Sequence, residues 1–174
     1  YKFNMFGDKQ EIIPPGSRSP VTHFEMHPSN SLLYYTHGDG NLYRSGDRIK
    51  TYDMTNGEIK VYIDRPGGAG APKLSKDGKF LAYVHRDDRQ TSLVVRNIET
   101  NEESIVSTNL DYDRMDSGSF YGSYTNMSWH PNNKEIFISY GGGIHSINII
   151  TLKEKKIKFN ARVKRQIKET VRFK

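Results

Sequence analysis

Short apolar runs that follow a polar turn recur along this chain. Residues 26–35, 74–83 and 129–138 each contain an apolar residue, a Ser or His, a turn of Pro, Asp, Asn or Gly, and then an apolar run. Turn residues at that place join antiparallel strands, and a short apolar run is typical of a strand covered on both faces. The pattern predicts equivalent hairpins whose buried second strands are residues 32–35, 80–84 and 136–138.

A second turn recurs further along each repeat, in residues 52–58, 96–102 and 147–153. In each copy a strand ends in Asp or Asn with an aliphatic residue, turns, and is followed by another strand. Asn-Gly in the first copy is a strong hairpin signal. The following strand alternates apolar and polar residues in two copies, 59–63 and 157–163, as a strand with one solvated face does.

Two hairpins in each repeat give four strands, and the repeat recurs at intervals of 48 and 55 residues. Units of this kind are typical of β-propeller blades. Residues 3–9 repeat the second turn once more at the start of the chain. The sequence therefore predicts an all-β fold, a β-propeller of about three full four-stranded antiparallel blades plus one half-blade, forming part of a larger propeller. A β-sandwich with coincidental similarity is the alternative.

The chain is predicted to be a single partial propeller domain, residues 1–174. Its segments are a half-blade (1–13), blades at 21–63, 70–107 and 125–163, an inserted loop at 108–124, and a basic tail at 164–174 that leads to a missing or separate domain.

Charge is concentrated near the C-terminus. Residues 153–174 hold ten Lys and Arg against two acidic residues, whereas the whole chain has a net charge of +6. Phosphate contacts by these lysines would give salt-dependent nucleic-acid binding, but aromatic residues for base stacking are not interleaved with them. A solvated strand edge, or a docking segment for another domain, is the favoured interpretation, with no nucleic-acid partner.

Composition excludes several classes of site. The chain has no cysteine, so it has neither disulfides nor thiolate sites. Its longest apolar runs are far below the ~20 residues of a membrane helix, so no membrane span is expected. No signal peptide is visible. The 11 Tyr and 8 Phe residues supply large apolar surfaces for a core.

The repeat at 74–83, with the sequence LSKDGKFLAY, resembles the WD-like repeats of TolB-type propellers. The succession of 67–72, 96–103, 139–144 and 157–163 resembles the TolB-like propeller in front of the metal-dependent catalytic domain of amidohydrolase-family proteins. This closer likeness covers about residues 67–173. Two departures are His145, where the family has an aromatic residue, and Leu152, where it has glycine.

The resemblance implies a catalytic (β/α)₈ barrel after this segment, with metal ligands beginning in a His-x-His. The six histidines here, at 23, 27, 37, 85, 130 and 145, are not spaced that way. The expected function is a non-catalytic scaffold, interaction or gating module without a cofactor. It would be a fragment of an amidohydrolase-type protein in the periplasm or outside the cell. Its expected partners are the rest of the propeller and a catalytic domain, or a second copy that closes the ring.

Two other functions remain open: a stand-alone protein–protein interaction propeller, and a hydrolase with its site at the propeller mouth. Against the hydrolase, no nucleophile elbow is present. His23, Glu25 and His27 alternate along one predicted strand and could share one side to bind a metal. The favoured interpretation is structural, with the His27 ring hydrogen-bonded to backbone within its own blade. Gly67–Gly70 lacks the spacing of a nucleotide cradle and is predicted to be a flexible linker between blades.

The best candidate surface is the inserted loop, because binding residues concentrate on loops held by a rigid scaffold. Its carboxylates could gather oxygens for Ca²⁺, but EF-hand spacing is absent, and a solvated loop paired with its own arginine is the favoured alternative. Residues 85–89 are predicted to be a solvated hairpin tip between apolar strands. The candidate partner- or ligand-contacting residues are Asp111, Asp113, Arg114, Asp116, Tyr121 and Arg86.

Overall fold

The computed structural model describes residues 2–3, 9–10, 21–29, 31–38, 47–87, 89–113 and 124–164. The strands of these residues, in chain order, are β1 (Lys2–Phe3), β2 (Lys9–Gln10), β3 (Val21–Met26), β4 (Leu32–Gly38), β5 (Asp47–Asp53), β6 (Ile59–Ile63), β7 (Ala69–Leu74), β8 (Phe80–Asp87), β9 (Gln90–Asn97), β10 (Glu103–Ser107), β11 (Ser128–Trp129), β12 (Glu135–Tyr140), β13 (Gly143–Asn148) and β14 (Glu154–Ile157).

Within these residues the strands form three four-stranded antiparallel sheets, each in chain order: β3–β6, β7–β10 and β11–β14. We call them blades 1, 2 and 3. A two-stranded sheet, β1 with β2, lies at the start of the chain. The predicted all-β architecture with three four-stranded blades is confirmed. In the part of the chain that the structure describes, no helix has the length and apolar character that a membrane crossing requires.

The turn between the first two strands is built alike in every blade. The backbone N–H of His27, Ser75 and His130 donates to the carbonyl of the residue that opens or precedes the second strand, at 2.8, 2.9 and 2.8 Å. Gly78 and Asn133, at equivalent places in this turn, have positive φ, which glycine and asparagine adopt most readily. The recurring turn residues of the sequence therefore encode one recurring backbone path.

The turn between the third and fourth strands is also the same in each blade. The side chains of Asp53, Asn97 and Asn148 accept hydrogen bonds from backbone N–H groups two residues on, at 2.8, 2.9 and 3.0 Å. These are Asx turns, which explains why the sequence has Asp or Asn at this place. The turn closes on a residue of positive φ, which is Gly57 in blade 1 and Leu152 in blade 3.

The core lies between the blades. The predicted second strands are buried, with Tyr34, Leu81 and Ile136 almost wholly inaccessible. At the first boundary, between blades 1 and 2, the buried apolar residues are Tyr34, Ile49, Ile63, Ala69, Leu74, Leu81, Tyr83 and Val94. At the second boundary, between blades 2 and 3, they are Ala71, Ala82, Val84, Leu93, Val95, Val106, Tyr124, Met127, Trp129, Ile136, Ile138, Tyr140 and Ile147. Blade 2 is thus covered on both faces.

Two local predictions are corrected. The alternating strand expected at 157–163 ends at Ile157, because the following side chains, including Phe159, are solvent-exposed and pack on no sheet. The linker at Gly67–Gly70 is not the flexible segment that was predicted: Gly68 is buried, and its carbonyl accepts a hydrogen bond from Nδ1 of His85 at 2.9 Å. Gly141 and Gly142, both with positive φ, form a tight hairpin between β12 and β13.

Candidate functional site

The inserted loop and the β8–β9 hairpin lie at the same end of the blades, because the strands of each sheet are antiparallel and follow one another in order. The described start of the loop, residues 108–113, passes beside the end of β8. There Asp113 and Arg86 form a buried ion pair in which the carboxylate is wholly inaccessible. We call the side chains around this pair the Arg86 cluster; they are Arg86, Thr91, Tyr112 and Asp113.

The Arg86 cluster satisfies both charges. Nε of Arg86 donates to the two carboxylate oxygens of Asp113 at 3.1 and 3.0 Å. The guanidinium also donates to the Tyr112 hydroxyl at 3.0 Å and lies 4.6 Å from the centre of that ring. The Thr91 hydroxyl donates to Asp113 Oδ2 at 2.8 Å. Because a buried charge is tolerated only when it is paired and hydrogen-bonded, this cluster fixes the loop to blade 2.

Two expectations about this region are wrong. The prediction that residues 85–89 form a solvated hairpin tip is wrong at Arg86, which is only 8% exposed. The loop carboxylate Asp113 is not solvated, and it pairs with an arginine of the preceding hairpin. The reason is that the end of β8 is covered by the returning loop, which periodicity within one strand does not reveal. Arg114, Asp116 and Tyr121 lie outside the described residues.

Asp111 has a different role from Asp113, since it joins the loop to blade 3. Its Oδ2 accepts a hydrogen bond from the backbone N–H of Gly141 at 2.9 Å, and its own N–H donates to the Tyr124 hydroxyl at 3.1 Å. Burial raises the pKa of Tyr124 to about 12, so this hydroxyl stays neutral. The loop is therefore attached to two blades through its two described carboxylates.

A second candidate site, not predicted from the sequence, lies on the first strands of the blades. These are the inner edges, since β7 packs against both β3 and β11. A cavity of about 440 Å³, which we call the inner-strand pocket, opens between them. Its lining comes from blade 1, blade 2 and the segment that leads into blade 3: Thr22, His23, Phe24, Glu25, Pro72, Tyr124, Thr125 and Asn126.

Matching bulges shape the inner-strand pocket. The pairing register shifts in β3 between Thr22 and Glu25, and in β7 between Gly70 and Lys73. The residues inside the two bulges, His23 and Ala71, are 48 apart, the same interval as the repeat, and both have φ of 52°. Bulges redirect side chains beside functional sites; here His23 of the β3 bulge lines the pocket, whereas Ala71 of the β7 bulge is buried in the core.

His23 crosses the inner-strand pocket. Its Nε2–H donates to the carbonyl of Tyr124 at 3.1 Å, which joins the first strand of blade 1 to the segment leading into blade 3. Nδ1 lies 3.1 Å from the hydroxyl of Thr22. Burial lowers the pKa of His23 below its ordinary value of 6.5, although the Tyr124 carbonyl acts in the opposite direction. The ring is therefore neutral at pH 7.

The alternation that would place His23, Glu25 and His27 on one side is broken by the bulge. Glu25 forms an ion pair with Lys73 of blade 2. His27 lies beyond the end of β3, and its Nε2 donates to the Gly78 carbonyl of blade 2 at 3.2 Å. Its predicted backbone bond therefore exists between blades and not within one. Among the described residues, no three His, Cys, Asp or Glu side chains are grouped to hold a metal ion.

The pocket offers hydrogen-bonding groups but few charges. Hydroxyls of Thr22 and Thr125, the amide of Asn126 and the half-exposed ring of Phe24 line it. Sequence reasoning missed Thr125 and Asn126 because the signal is their alignment with Thr22 and His23 across repeats, not a motif within one strand.

Comparison with known proteins supports the fold. No protein-family model matches the chain. The Tol-Pal system protein TolB of Wolbachia sp. subsp. Drosophila simulans (strain wRi) is 23% identical over 82 residues, which are 47% of this chain and 20% of that protein. This chain therefore spans about a fifth of that curated relative.

Solved structures agree with this likeness. TolB from Acinetobacter baumannii matches with a TM-score of 0.61 and 18% identity, over 82% of this chain and 33% of that one. The β-propeller domain of the Trilobed protease from Pyrococcus furiosus matches with a TM-score of 0.56 and 12% identity, over 80% and 43%. The acylaminoacyl peptidase of Pyrococcus horikoshii matches with 0.56 and 12%, over 81% and 25%. The chain has a TolB-like β-propeller fold.

Proposed function

We propose that this chain is a non-catalytic TolB-like β-propeller module that acts as a scaffold or interaction domain within a larger propeller. The proposal rests on the contacts made by the side chains that could take part in catalysis. His23, Glu25 and His27 each join one blade to another, and Asp113 is enclosed with Arg86. Groups committed in this way hold blades together and are not free to act on a substrate.

A catalytic site needs a nucleophile and a base within hydrogen-bond reach of each other, and of a bound substrate. Among the described residues, the hydroxyl of Ser29 lies within hydrogen-bond reach of a histidine, at 2.9 Å from His27 Nδ1. However, the Ser29 backbone N–H also donates to that nitrogen, at 3.2 Å. With Nδ1 accepting from Ser29 and Nε2 donating to Gly78, the imidazole is a structural link between blades.

We further propose that the module belongs to an amidohydrolase-type protein. This rests on the succession of sequence segments between Gly67 and Phe173 that resembles the propeller of that family. In such a protein the blades would hold or gate the catalytic barrel, and the loops at the Arg86 end would be the contact surface. A barrel strand ending in His-x-His, encoded in the same reading frame as these residues, is the expected finding.

The test of the non-catalytic role is direct. The purified chain, dialysed against a weak chelator, is examined by elemental analysis and assayed against a panel of amide and ester substrates. We expect neither stoichiometric zinc nor turnover. One zinc per chain that is lost in His23→Ala would show that the inner strand is a metal site, and turnover lost in the same variant would place a hydrolytic site in the pocket.

A further inference from the structure

A glutamate at the start of the fourth strand joins each of two blades to the blade before it. Glu103 opens β10, accepts a hydrogen bond from Tyr83 of its own blade at 2.9 Å, and forms an ion pair with Arg65, which follows β6. Glu154 opens β14 and accepts from Tyr140 of its own blade at 2.7 Å. The same carboxylate also accepts from two side chains of blade 2.

Both donors lie at or just after the end of β10, the outer strand of blade 2. The Asn109 amide donates to Glu154 Oε2 at 3.0 Å, and the Ser107 hydroxyl donates to Oε1. Burial acts to raise the pKa of Glu154, but the bonds from Ser107, Tyr140 and Asn109 outweigh it and lower the pKa. The carboxylate is thus held in its charged form at the second boundary.

The donors occupy equivalent positions of the repeat. Arg65 and Asn109 each lie six residues after the first residue of their outer strand, Ile59 and Glu103. Counting in the same way from Glu154 leads to Asn160, and the position of Ser107 corresponds to Lys158. Both side chains can donate, and both residues are exposed. After blade 3 the chain therefore carries two donor residues, Lys158 and Asn160, at the positions that Ser107 and Asn109 occupy after blade 2.

The surface beside these donors is the side of blade 3 that faces away from blade 2. The register places Phe137, Ile144 and Ile157 on this side, and Ile144 is 37% exposed. A groove of about 810 Å³ runs along this side and the edge of β14, lined by lysines 153, 155, 156 and 158 and by two glutamates. The register places Lys155 on this side, and Lys156 and Glu154 on the side toward blade 2. In blades 1 and 2 the equivalent side is covered by the next blade, whereas no strand of the described residues packs on this side of blade 3. We call this surface the open face.

A second copy of this chain supplies a poor match for the open face. Blade 1 of a second copy would present Ile59 at the place where Glu103 and Glu154 stand. The side of blade 1 available for such a contact also includes Lys50, which lies opposite Tyr35 in the register. A lysine-lined groove attracts acidic groups and repels another lysine.

We infer that the open face is the docking surface for a further four-stranded blade, from outside these 174 residues, whose outer strand begins with Glu or Asp and is received by Lys158 and Asn160. The inference deepens the proposed scaffold function and rests on it. The partner is defined by continuity with the two boundaries already present: aliphatic residues on its second strand would pack on Phe137, and its carboxylate would neutralise the lysine side of the groove.

The experiment supplies such a blade artificially. The full chain is extended after Lys174 by a duplicate of residues 108–164, which carries its own Glu154; the longer connection is tolerated because loop-closure entropy grows slowly with length. Lysine acetylation followed by mass spectrometry reports access to Lys155 and Lys158, and urea unfolding reports stability. We expect protection of both lysines and a raised urea midpoint in the extended chain.

Variants test the carboxylate contact. Lys158→Ala with Asn160→Ala, made in the first copy only, should remove the protection of Lys155 and the gain in midpoint, and should leave the unextended chain unchanged. Arg162→Ala with Lys164→Ala is the matched control, since both residues lie outside the groove, and it should change neither readout. Full protection in the Lys158/Asn160 double variant would overturn the role of these residues.

Two further results would overturn the proposal. Unprotected lysines in a folded extended chain would overturn docking on the open face. Light scattering that shows the unextended chain as a dimer, dissociated by the Lys158/Asn160 variant, would mean that a second copy occupies the face and would overturn the proposed partner. Neither result depends on the zinc and turnover assays, so failure of this inference is distinguishable from failure of the proposed function.

Discussion

The first and second blade boundaries use the same strand positions and different polar contacts. At the first, Glu25 pairs with Lys73 and Arg65 with Glu103. At the second, the indole N–H of Trp129 donates to the Lys73 carbonyl at 2.9 Å, and its ring stacks on Phe80. Ion pairs between charged side chains thus cross the first boundary, whereas the second is crossed by the tryptophan hydrogen bond and by hydrogen bonds from neutral donors to Glu154. Strand alternation places the apolar residues at the same positions in both boundaries. The polar contacts around them differ between the two boundaries.

The chain segments that cross the two boundaries differ even more. The first is a short turn in which a Cβ on Gly67 would lie 2.2 Å from the Arg86 carbonyl oxygen. The second is the inserted loop, attached through Asp113. The short segment needs a glycine at position 67, because a Cβ there would collide with the backbone of Arg86. The long segment is instead held by one of its own side chains, Asp113, through the ion pair with Arg86.

The largest expected effect is loss of that anchor. Asp113→Ala leaves the Arg86 guanidinium buried without its carboxylate, and breaking a buried ion pair in this way costs roughly 3–5 kcal/mol. Urea unfolding followed by circular dichroism measures the loss. Asp111→Ala is the comparison in the same loop; its exposed side chain accepts one hydrogen bond, from Gly141, and we expect the smaller loss of about 1 kcal/mol. Equal losses in the two variants would contradict the anchor role.

The next effect tests whether the apolar parts of the boundaries are equivalent. Leu81 and Ile136 occupy the same position of the repeat, one at each boundary, and both are 0% exposed. Truncation to Ala creates a cavity at either site and should cost roughly 2–5 kcal/mol. Urea midpoints that fall alike in Leu81→Ala and Ile136→Ala would support equivalence. A near-neutral result at one position would show that its boundary is held mainly by polar contacts.

The repeat, the turns and the buried second strands could be predicted because each depends on residues close in sequence. The Asx turns at Asp53, Asn97 and Asn148 are an example, since the accepting side chain and the donating backbone N–H lie two residues apart. The Arg86 cluster and the His23 contact to Tyr124 could not be predicted, because each joins segments brought together only by packing of the blades. The bulge at His23 also breaks the alternation on which the metal hypothesis depended.

A smaller effect separates the boundaries by their response to salt. Glu25→Gln removes the partly exposed ion pair with Lys73, whose worth is about 1 kcal/mol in such surroundings. Because salt screens this pair, the difference between wild type and variant should shrink from low to high ionic strength. Trp129→Phe is the comparison at the second boundary, since it removes an uncharged hydrogen bond. Its destabilisation should not vary with salt, and a parallel salt response would contradict the contrast.

The smallest effect is a difference in acid sensitivity. Burial lowers the pKa of His23, so its contribution is complete above 6.5, the ordinary value, and is lost as the pH falls toward its folded value. Glu154 also has a lowered pKa, and its contribution is lost only as the pH falls below 4.5. Stability measured from pH 8 to pH 3 should therefore decline in two stages.

Single variants assign the two stages. His23→Gln should remove the decline just below pH 6.5 and keep the later one. Glu154→Gln should keep the upper decline and reduce the later one, to which Asp53 and Asp77, whose pKa values are also lowered, contribute as well. The midpoint of urea unfolding at each pH gives both curves. An unchanged upper stage in His23→Gln would mean that another group, and not this ring, takes up the proton on unfolding.

The strands of each blade follow one another along the chain, and this order has a kinetic consequence. Every strand pairing in blade 2 joins neighbouring segments of one stretch, residues 69–107. Hairpins of this kind form within about 1–10 μs, far faster than a ribosome adds residues. Blade 2 can therefore close before blade 3 has been synthesised, and during that interval its aliphatic side facing the missing neighbour is the surface that a chaperone would bind.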